Sequence, residues 1–203
     1  MMTLYALKPR FQNMLRPVAR RLHGRGVSAN QVTVAALLLA VATAGAIGLW
    51  PTPATLLLLP PVLFLRMALN ALDGMLAREF QQPTPLGAML NELGDVLADA
   101  ALYLPLLLIP GVSATLVIAL VWLALLSEFC GVAAVQIGAS RRYDGPMGKS
   151  DRALLLGGIA VALGCGAPAG FWLTALLFAA NGLLILTCYN RVRAALREVK
   201  PCL

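Results

Sequence analysis

Five carboxylates sit where an apolar chain should not carry them. Asp73, Glu92, Asp95, Asp99 and Glu128 all fall inside long hydrophobic stretches. A charge in a bilayer core costs several kcal/mol unless it meets protein, water or a counter-ion. Their spacing suggests a use. Asn70, Asp73 and Ala77 recur at i, i+3, i+7, and Asn91, Asp95 and Asp99 at i, i+4, i+8, so each trio lines one face of a helix. Two such faces turned together offer carboxylate and amide oxygens to a hard divalent cation, Mg²⁺ or Mn²⁺. A zinc site is not expected. Cys130, Cys165, Cys188 and Cys202 show no CxxC spacing, and His23 lies among arginines. No Ser-His-Asp or Cys-His set fits inside these stretches, so nucleophilic covalent catalysis is not expected.

The elements that must position these residues are membrane helices. The chain of 203 residues is 60% hydrophobic and only 12% charged; a soluble domain carries about a quarter charged residues. Apolar spans occupy about 30–49, 54–80, 84–109, 113–137, 151–165 and 168–190. All but the fifth reach the roughly 20 residues a crossing needs. Proline and glycine turns separate them at Pro51–Pro53, Pro83–Pro85, Pro110–Gly111 and Ala167–Pro168. The expected fold is an all-α integral membrane protein with six transmembrane helices. A basic amphipathic interfacial helix over 4–25, interrupted near Pro17, precedes them. The organisation is thus a cytoplasmic segment, 1–29, and a membrane domain, 30–203. Ser28 and Asn30 are suited to cap the first span. Residues 1–25 lack the apolar core of a cleavable signal peptide.

The net charge of +7 flanks apolar runs, which points to anionic lipid and anionic substrates rather than nucleic acid. Of the segments on one side, 1–29, 138–151 and the C-terminal tail hold basic residues, including Arg191, Arg193, Arg197 and Lys200, while the short 80–84 turn holds none. The turns near 50–53, 110–112 and 165–168 hold none. Both termini are therefore expected in the cytoplasm, and the chain in a bacterial inner membrane.

The second and third spans read as an antiparallel hairpin, so residues equally far from their short loop are level. Asp73 is then level with Asn91, Asn70 with Asp95, and Arg66 with Asp99. At 1.5 Å per residue the first two layers lie roughly 10–17 Å above the loop, a depth that suits a water-filled cup open to the cytoplasm. Glu128 lies at a similar depth, and Glu92 is turned aside as an extra ligand or a partner for another helix. Arg66 and Asp99 read as a buried structural ion pair beneath the metal. The loop GASRRYDGPMGKSDR puts Arg141, Arg142, Lys149 and Arg152 beside the mouth, with Ser150 or Asp151 as a helix cap. That is a pocket for an anionic or phosphorylated acceptor, or equally a positive-inside loop that meets lipid headgroups.

Asp73-Gly74-x-x-Ala77-Arg78, eight residues, Gly87, three residues, Asn91, three residues and Asp95 resemble the signature of CDP-alcohol phosphotransferases. That signature is Asp-x-x-Asp-Gly-x-x-Ala-Arg, eight residues, Gly-x-x-x-Asp-x-x-x-Asp. Ala29-Asn30-Gln31-Val32-Thr33 is similar to the family's Pro-Asn-x-x-Thr, and Arg66-Met-Ala-Leu-Asn70-Ala-Leu-Asp73-Gly74 looks like its YnbA-like branch. The resemblance implies phosphatidyl transfer from CDP-diacylglycerol or a similar CDP-alcohol to an acceptor alcohol, with release of CMP, in phospholipid biosynthesis. It implies metal at Asn70, Asp73, Asn91 and Asp95, the CDP moiety at Gly74, Ala77, Arg78 and Gly87, and Asp95 as base. Homodimers are usual in that family, and small residues in the third to fifth spans would permit close pairing. The chain departs from the pattern at Asn70 and Asn91, where the signature has acids. Two carboxylates balance one divalent ion rather than two. A one-metal or weakly two-metal enzyme is expected, with a nucleotide-lipid or metal binder regulating a partner enzyme as the alternative.

Overall fold

A computed structural model describes residues 4–199. Lys200, Cys202 and the side chains of Lys8 and Arg10 lie outside that description. Among the described residues there are helices and no strands. They are α1 (Leu4–Gly24), α2 (Ala29–Leu49), α3 (Pro53–Leu56), α4 (Leu59–Glu79), α5 (Pro85–Tyr103), α6 (Ala114–Ala133), α7 (Lys149–Gly164) and α8 (Phe171–Glu198). Short 3-10 turns extend α5 over Leu104–Leu108 and α6 over Ala134–Ile137. Among the described residues four stretches are long and apolar enough to cross a membrane: Ala29–Leu49, Pro53–Glu79, Ala114–Ile137 and Phe171–Glu198.

Local chemistry sets the boundaries. Ser28 caps α2, its hydroxyl accepting from the Gln31 amide at 3.3 Å while the Gln31 side chain accepts from the Ser28 amide at 2.9 Å. Asn30, the other expected cap, instead bonds Thr84. The Thr84 hydroxyl accepts from the Gly87 amide at 2.9 Å and caps α5, with Pro85 in the first turn. The second apolar span is not one helix. It breaks at Leu57 and Leu58, because Pro60 and Pro61 have no N–H to bond back to Leu56 and Leu57. Gly138, at φ +83°, stops the 3-10 turn after α6. On α7 the Asp151 carboxylate accepts from the Gly148 amide at 3.0 Å, so Asp151 serves the cap from within the first turn.

Pro17 does not interrupt α1 as the sequence suggests. Packing holds the helix through it. Ala19 is fully buried and Leu15 and Leu22 lie against Leu72, Met75 and Leu76 of α4, while Arg16 pairs with Glu79 at 3.1 Å.

The helices run between two ends. Ala29 and Asn30 meet Gln82 and Thr84 at one end, where Ser140 also bonds Glu198. At the other end Gly164 packs on Leu57 and Pro53, and Gly111 on Ala169. α2 is the central post. α4 and α5 both pack along α2 rather than along each other, α6 packs on α8, and α7 on α4. The adjacent spans on either side of the 80–84 loop are thus splayed, and polar side chains fill the gap between them. Ala36 and Ala40 on α2 are buried, and their small size allows this close approach.

Candidate active site

The polar stripes of α4 and α5 face each other across that gap in layers. In the deepest, Arg66 Nη1 donates to Asp99 Oδ1 at 2.6 Å. Arg152 Nη2 donates to Asp99 Oδ2 at 2.8 Å, and the Tyr103 hydroxyl reaches the same oxygen at 3.4 Å. Above it, Asn70 Nδ2 donates to Asp95 Oδ1 at 3.0 Å. Arg66 Nη2 donates to the Asp95 backbone carbonyl at 3.1 Å, and the Lys149 ammonium pairs with the Asp95 carboxylate. Both pairs joined here, Arg66 with Asp99 and Asn70 with Asp95, are equidistant from the loop. Asp73 is buried and accepts from the Thr33 hydroxyl of α2 at 2.8 Å. Asn91 is half-buried one turn before Asp95.

Toward the loop the surface opens and the residues are small. Arg78 is exposed and folds back over Gly74, where an added Cβ would stand 2.8 Å from Nη2. Ala77 lies half-buried beside it. At Gly87 a Cβ would strike Asn30 Oδ1 and come within 2.9 Å of Thr84 Oγ1. The absence of side-chain bulk at Gly74 and Gly87 leaves backbone open to close approach at this rim.

A second set of charges closes the side toward α6, α7 and α8. Arg141 Nη2 bonds Glu92 Oε2 at 2.6 Å and lies 3.5 Å from Glu128. Glu128 also takes Arg152 at 2.9 Å and Arg191 at 3.4 Å. Arg142 turns away to Asp144 at 2.8 Å and Glu198 at 2.6 Å, and its guanidinium holds the Asp144 carboxyl below the usual carboxylate range. The loop that carries these residues is pinned on α8. Met147 N–H donates to Thr187 Oγ1 at 3.0 Å, and Gly145, at φ +126°, packs so tightly on Thr187 that a Cβ would lie 2.6 Å from Cγ2. A cavity of about 10 Å³, the size of one water, lies between α5 and α6 beside Asp99, Tyr103, Glu128 and Arg152. It is too small for a substrate.

The geometry redistributes the four basic residues expected to greet an anionic acceptor. Arg152 is not at the mouth: it is 2% exposed and spent on Asp99 and Glu128. Arg142 faces the far side of its loop. Arg141 and Lys149 remain at the cup, each against an acid. Glu92, read as an extra ligand or a partner for another helix, pairs with Arg141, and Glu128, read as lying at the depth of the cup, is held by Arg152. The physical reason is the same throughout. A buried arginine must find an anion, and one acid deep in the bundle can satisfy several.

Among the described residues no three His, Cys, Asp or Glu side chains form a ready-made metal cluster. The donors along the cleft are the carboxylates of Asp73 and Asp95 and the amides of Asn70 and Asn91. All are hard oxygen donors, and two carboxylates fit the charge of one divalent ion.

Compared with family models, residues 27–186 match the one described as CDP-alcohol phosphatidyltransferase. The chain belongs to the CDP-alcohol phosphatidyltransferase family. It is 51% identical over 198 residues to "Inner membrane protein YnbA" of Escherichia coli (strain K12), covering 96% of this chain and 97% of that one. Its fold is similar to Mycobacterium tuberculosis phosphatidylinositol phosphate synthase (PgsA1). The crystal structure with manganese and citrate superposes with a TM-score of 0.70 at 25% identity, over 89% of this chain and 88% of that one. The structure with CDP-DAG bound gives 0.70 at 24% identity, over 88% and 92%. The family and the branch expected from the signature are both found.

Thr33 is visible in the sequence as the last residue of the likeness to Pro-Asn-x-x-Thr, but that likeness does not show its hydrogen bond to Asp73. Glu128 as the hub for Arg141, Arg152 and Arg191 left no local signal, since its partners come from three separate segments.

Proposed function

We propose that this family member transfers a phosphatidyl group from a CDP-alcohol such as CDP-diacylglycerol to an acceptor alcohol and releases CMP. The observation that carries this is Asp95. Its carboxylate is fixed by Asn70, Arg66 and Lys149 across from Asp73, below a rim of Gly74, Ala77, Arg78 and Gly87. The manganese and the CDP-DAG in the PgsA1 crystal structures support the same donor and metal here. α5 and α7 complete six crossings, with both termini cytoplasmic and α1 in the interface, in a bacterial inner membrane like that of the YnbA relative.

The roles follow from the geometry. Asp73 and Asp95, with the Asn70 and Asn91 amides, would hold one Mg²⁺ or Mn²⁺. Such an ion, when bound, neutralises the pyrophosphate and stabilises the leaving group. Arg78 grips phosphate at the rim. The acceptor oxygen attacks the phosphorus that bears the lipid alcohol, and its bond to the CMP oxygen breaks. CMP leaves with that electron pair, and the acceptor proton passes to Asp95. Lys149, turned from Asp95 to the donor, adds positive charge beside the pyrophosphate.

The test is CMP release from CDP-diacylglycerol with Mg²⁺ or Mn²⁺ across a panel of alcohols, by wild type and by Asp95→Asn. Wild type is expected to exceed the variant by about a hundredfold or more. No CMP above the variant for any alcohol overturns the proposal. One observation favours the second reading, a non-catalytic binder: Asp95 and Glu92 already hold Lys149 and Arg141. Tight CDP binding with no CMP release would select it.

A further inference from the structure

We infer that the acceptor is an uncharged polyhydroxy alcohol, and that Glu92 and Glu128 set this choice by occupying the arginines that would otherwise bind a phosphate. The inference rests on the transfer reaction proposed above and concerns the same cleft.

A phosphorylated acceptor needs cations with free donors, best offered by arginine forks. Here each guanidinium already faces an acid, and only the buried Nε of Arg141, Arg152 and Arg191 is left without a partner. Arg141 gives Nη2 to Glu92 at 2.6 Å and Nη1 to the Tyr143 hydroxyl. Arg152 gives Nη2 to Asp99 and Glu128. Arg191 faces Glu128 at 3.4 Å and donates to the Ser127 carbonyl. Lys149 is on Asp95 and Arg66 on Asp99. With Asp73 counted, acids and bases in the cleft balance one for one. Were a metal to take Asp95, Lys149 would be freed beside the donor's pyrophosphate and would not serve a second phosphate. A phosphate brought against Glu92 and Glu128 would meet like charge, which costs several kcal/mol.

What the cleft does offer suits a hydroxyl. Arg141 Nε is a buried donor with no protein partner, and beside it the Glu92 carboxylate is 30% exposed. Glu92 sits one turn before Asp95 on α5, so an acceptor with its reacting hydroxyl at Asp95 carries its neighbouring groups to this pair. A hydroxyl accepts from Nε–H and donates to the carboxylate at once. An ammonium group satisfies only the carboxylate, and a phosphate only the guanidinium.

Two measurements test this. The first is CMP release from CDP-diacylglycerol with matched pairs: glycerol against sn-glycerol 3-phosphate, and myo-inositol against its 1-phosphate. The unphosphorylated member is expected to react faster by about tenfold or more; a faster phosphorylated member overturns the inference. The second does not need turnover. sn-Glycerol 3-phosphate is titrated calorimetrically into metal-free protein in detergent, as wild type and as Glu92→Gln. Glu92→Gln frees Arg141 and should bind about tenfold or more tightly than wild type. Equal binding by the two, or none by either, overturns the role of Glu92. If no alcohol gives CMP while Glu92→Gln still gains affinity, the transfer reaction fails and the neutralised pocket stands.

Discussion

Arg66 of α4 and Asp99 of α5 meet at 2.6 Å across two helices that do not pack on each other, and Asp99 holds Arg152 on its other oxygen. One carboxylate thus ties α4, α5 and α7 together. Removing it leaves buried Arg66 with only the longer 3.5 Å contact to the Asp95 carboxylate and Arg152 with Glu128 alone, whereas removing Arg66 leaves Asp99 still paired with Arg152. Asp99→Leu should therefore cost about 3–5 kcal/mol, the range for an uncompensated buried charge, and Arg66→Leu clearly less. Arg66→Leu with Asp99→Leu should be more stable than Asp99→Leu alone, because Arg152 keeps Glu128. Thermal unfolding in one detergent orders the three. A double variant less stable than Asp99→Leu would show that the pair does not work this way.

Asn70 and Asn91 should set the metal count. In wild type Asn70 donates its amide N–H to Asp95, a contact an aspartate cannot make without a cation between the two acids. Titration with Mn²⁺ should give about one ion per chain for wild type and about two for Asn70→Asp combined with Asn91→Asp, since each pair of carboxylates matches one divalent charge. The double variant should lose stability in chelator and regain it with Mn²⁺ by mass action. Two tightly held ions in wild type would contradict the assignment.

The level pairs on α4 and α5 are legible in the sequence, because two helices leaving one short loop obey a ruler of 1.5 Å per residue. Arg66 with Asp99 and Asn70 with Asp95 are that ruler at work. The splay lies beyond its reach. α2 enters between α4 and α5, and nothing in the 80–84 loop encodes the position of a helix that ends before residue 50. The fates of Arg141, Arg152 and Arg191 are hidden for the same reason. Each is visible as a positive charge near an inner end, but its partner depends on how α6, α7 and α8 pack. Positive-inside bias and a phosphate pocket look alike in sequence; only the position of Glu128 separates them.

Gly87 is expected to matter twice. A Cβ there would strike the Asn30 amide oxygen and crowd the Thr84 hydroxyl that caps α5. Gly87→Ala should lower stability by about 1 kcal/mol, the worth of an N-cap, as well as weaken CDP binding. Gly74→Ala meets only the end of the flexible Arg78 side chain, so it should weaken CDP binding with the fold unchanged. Adding Asn30→Ala to Gly87→Ala should restore part of the stability, because the struck atom is gone. Unfolding temperatures and CDP titrations of the four proteins check this. Equal loss of stability in Gly74→Ala and Gly87→Ala would refute the distinction.

Gly131 on α6 is where the loop that carries Arg141 and Arg142 rests on the bundle. Its carbonyl accepts from the Arg142 amide at 3.1 Å, and a Cβ would lie 2.6 Å from the Arg142 carbonyl oxygen and 3.3 Å from Arg191 Nη1. The first contact is backbone, so the chain must move rather than a side chain swing away. Gly131→Ala should lift the segment that brings Arg141 to Glu92, while Asn70, Asp73, Asp95 and the rim glycines keep their places. The expected signature is selective: acceptor KM rises by about tenfold, in line with a displaced charged hydrogen bond, while CDP affinity and Mn²⁺ stoichiometry stay those of wild type. A parallel loss of CDP affinity would mean that the loop supports the donor side as well, and the division of the cleft between rim and loop would have to be redrawn.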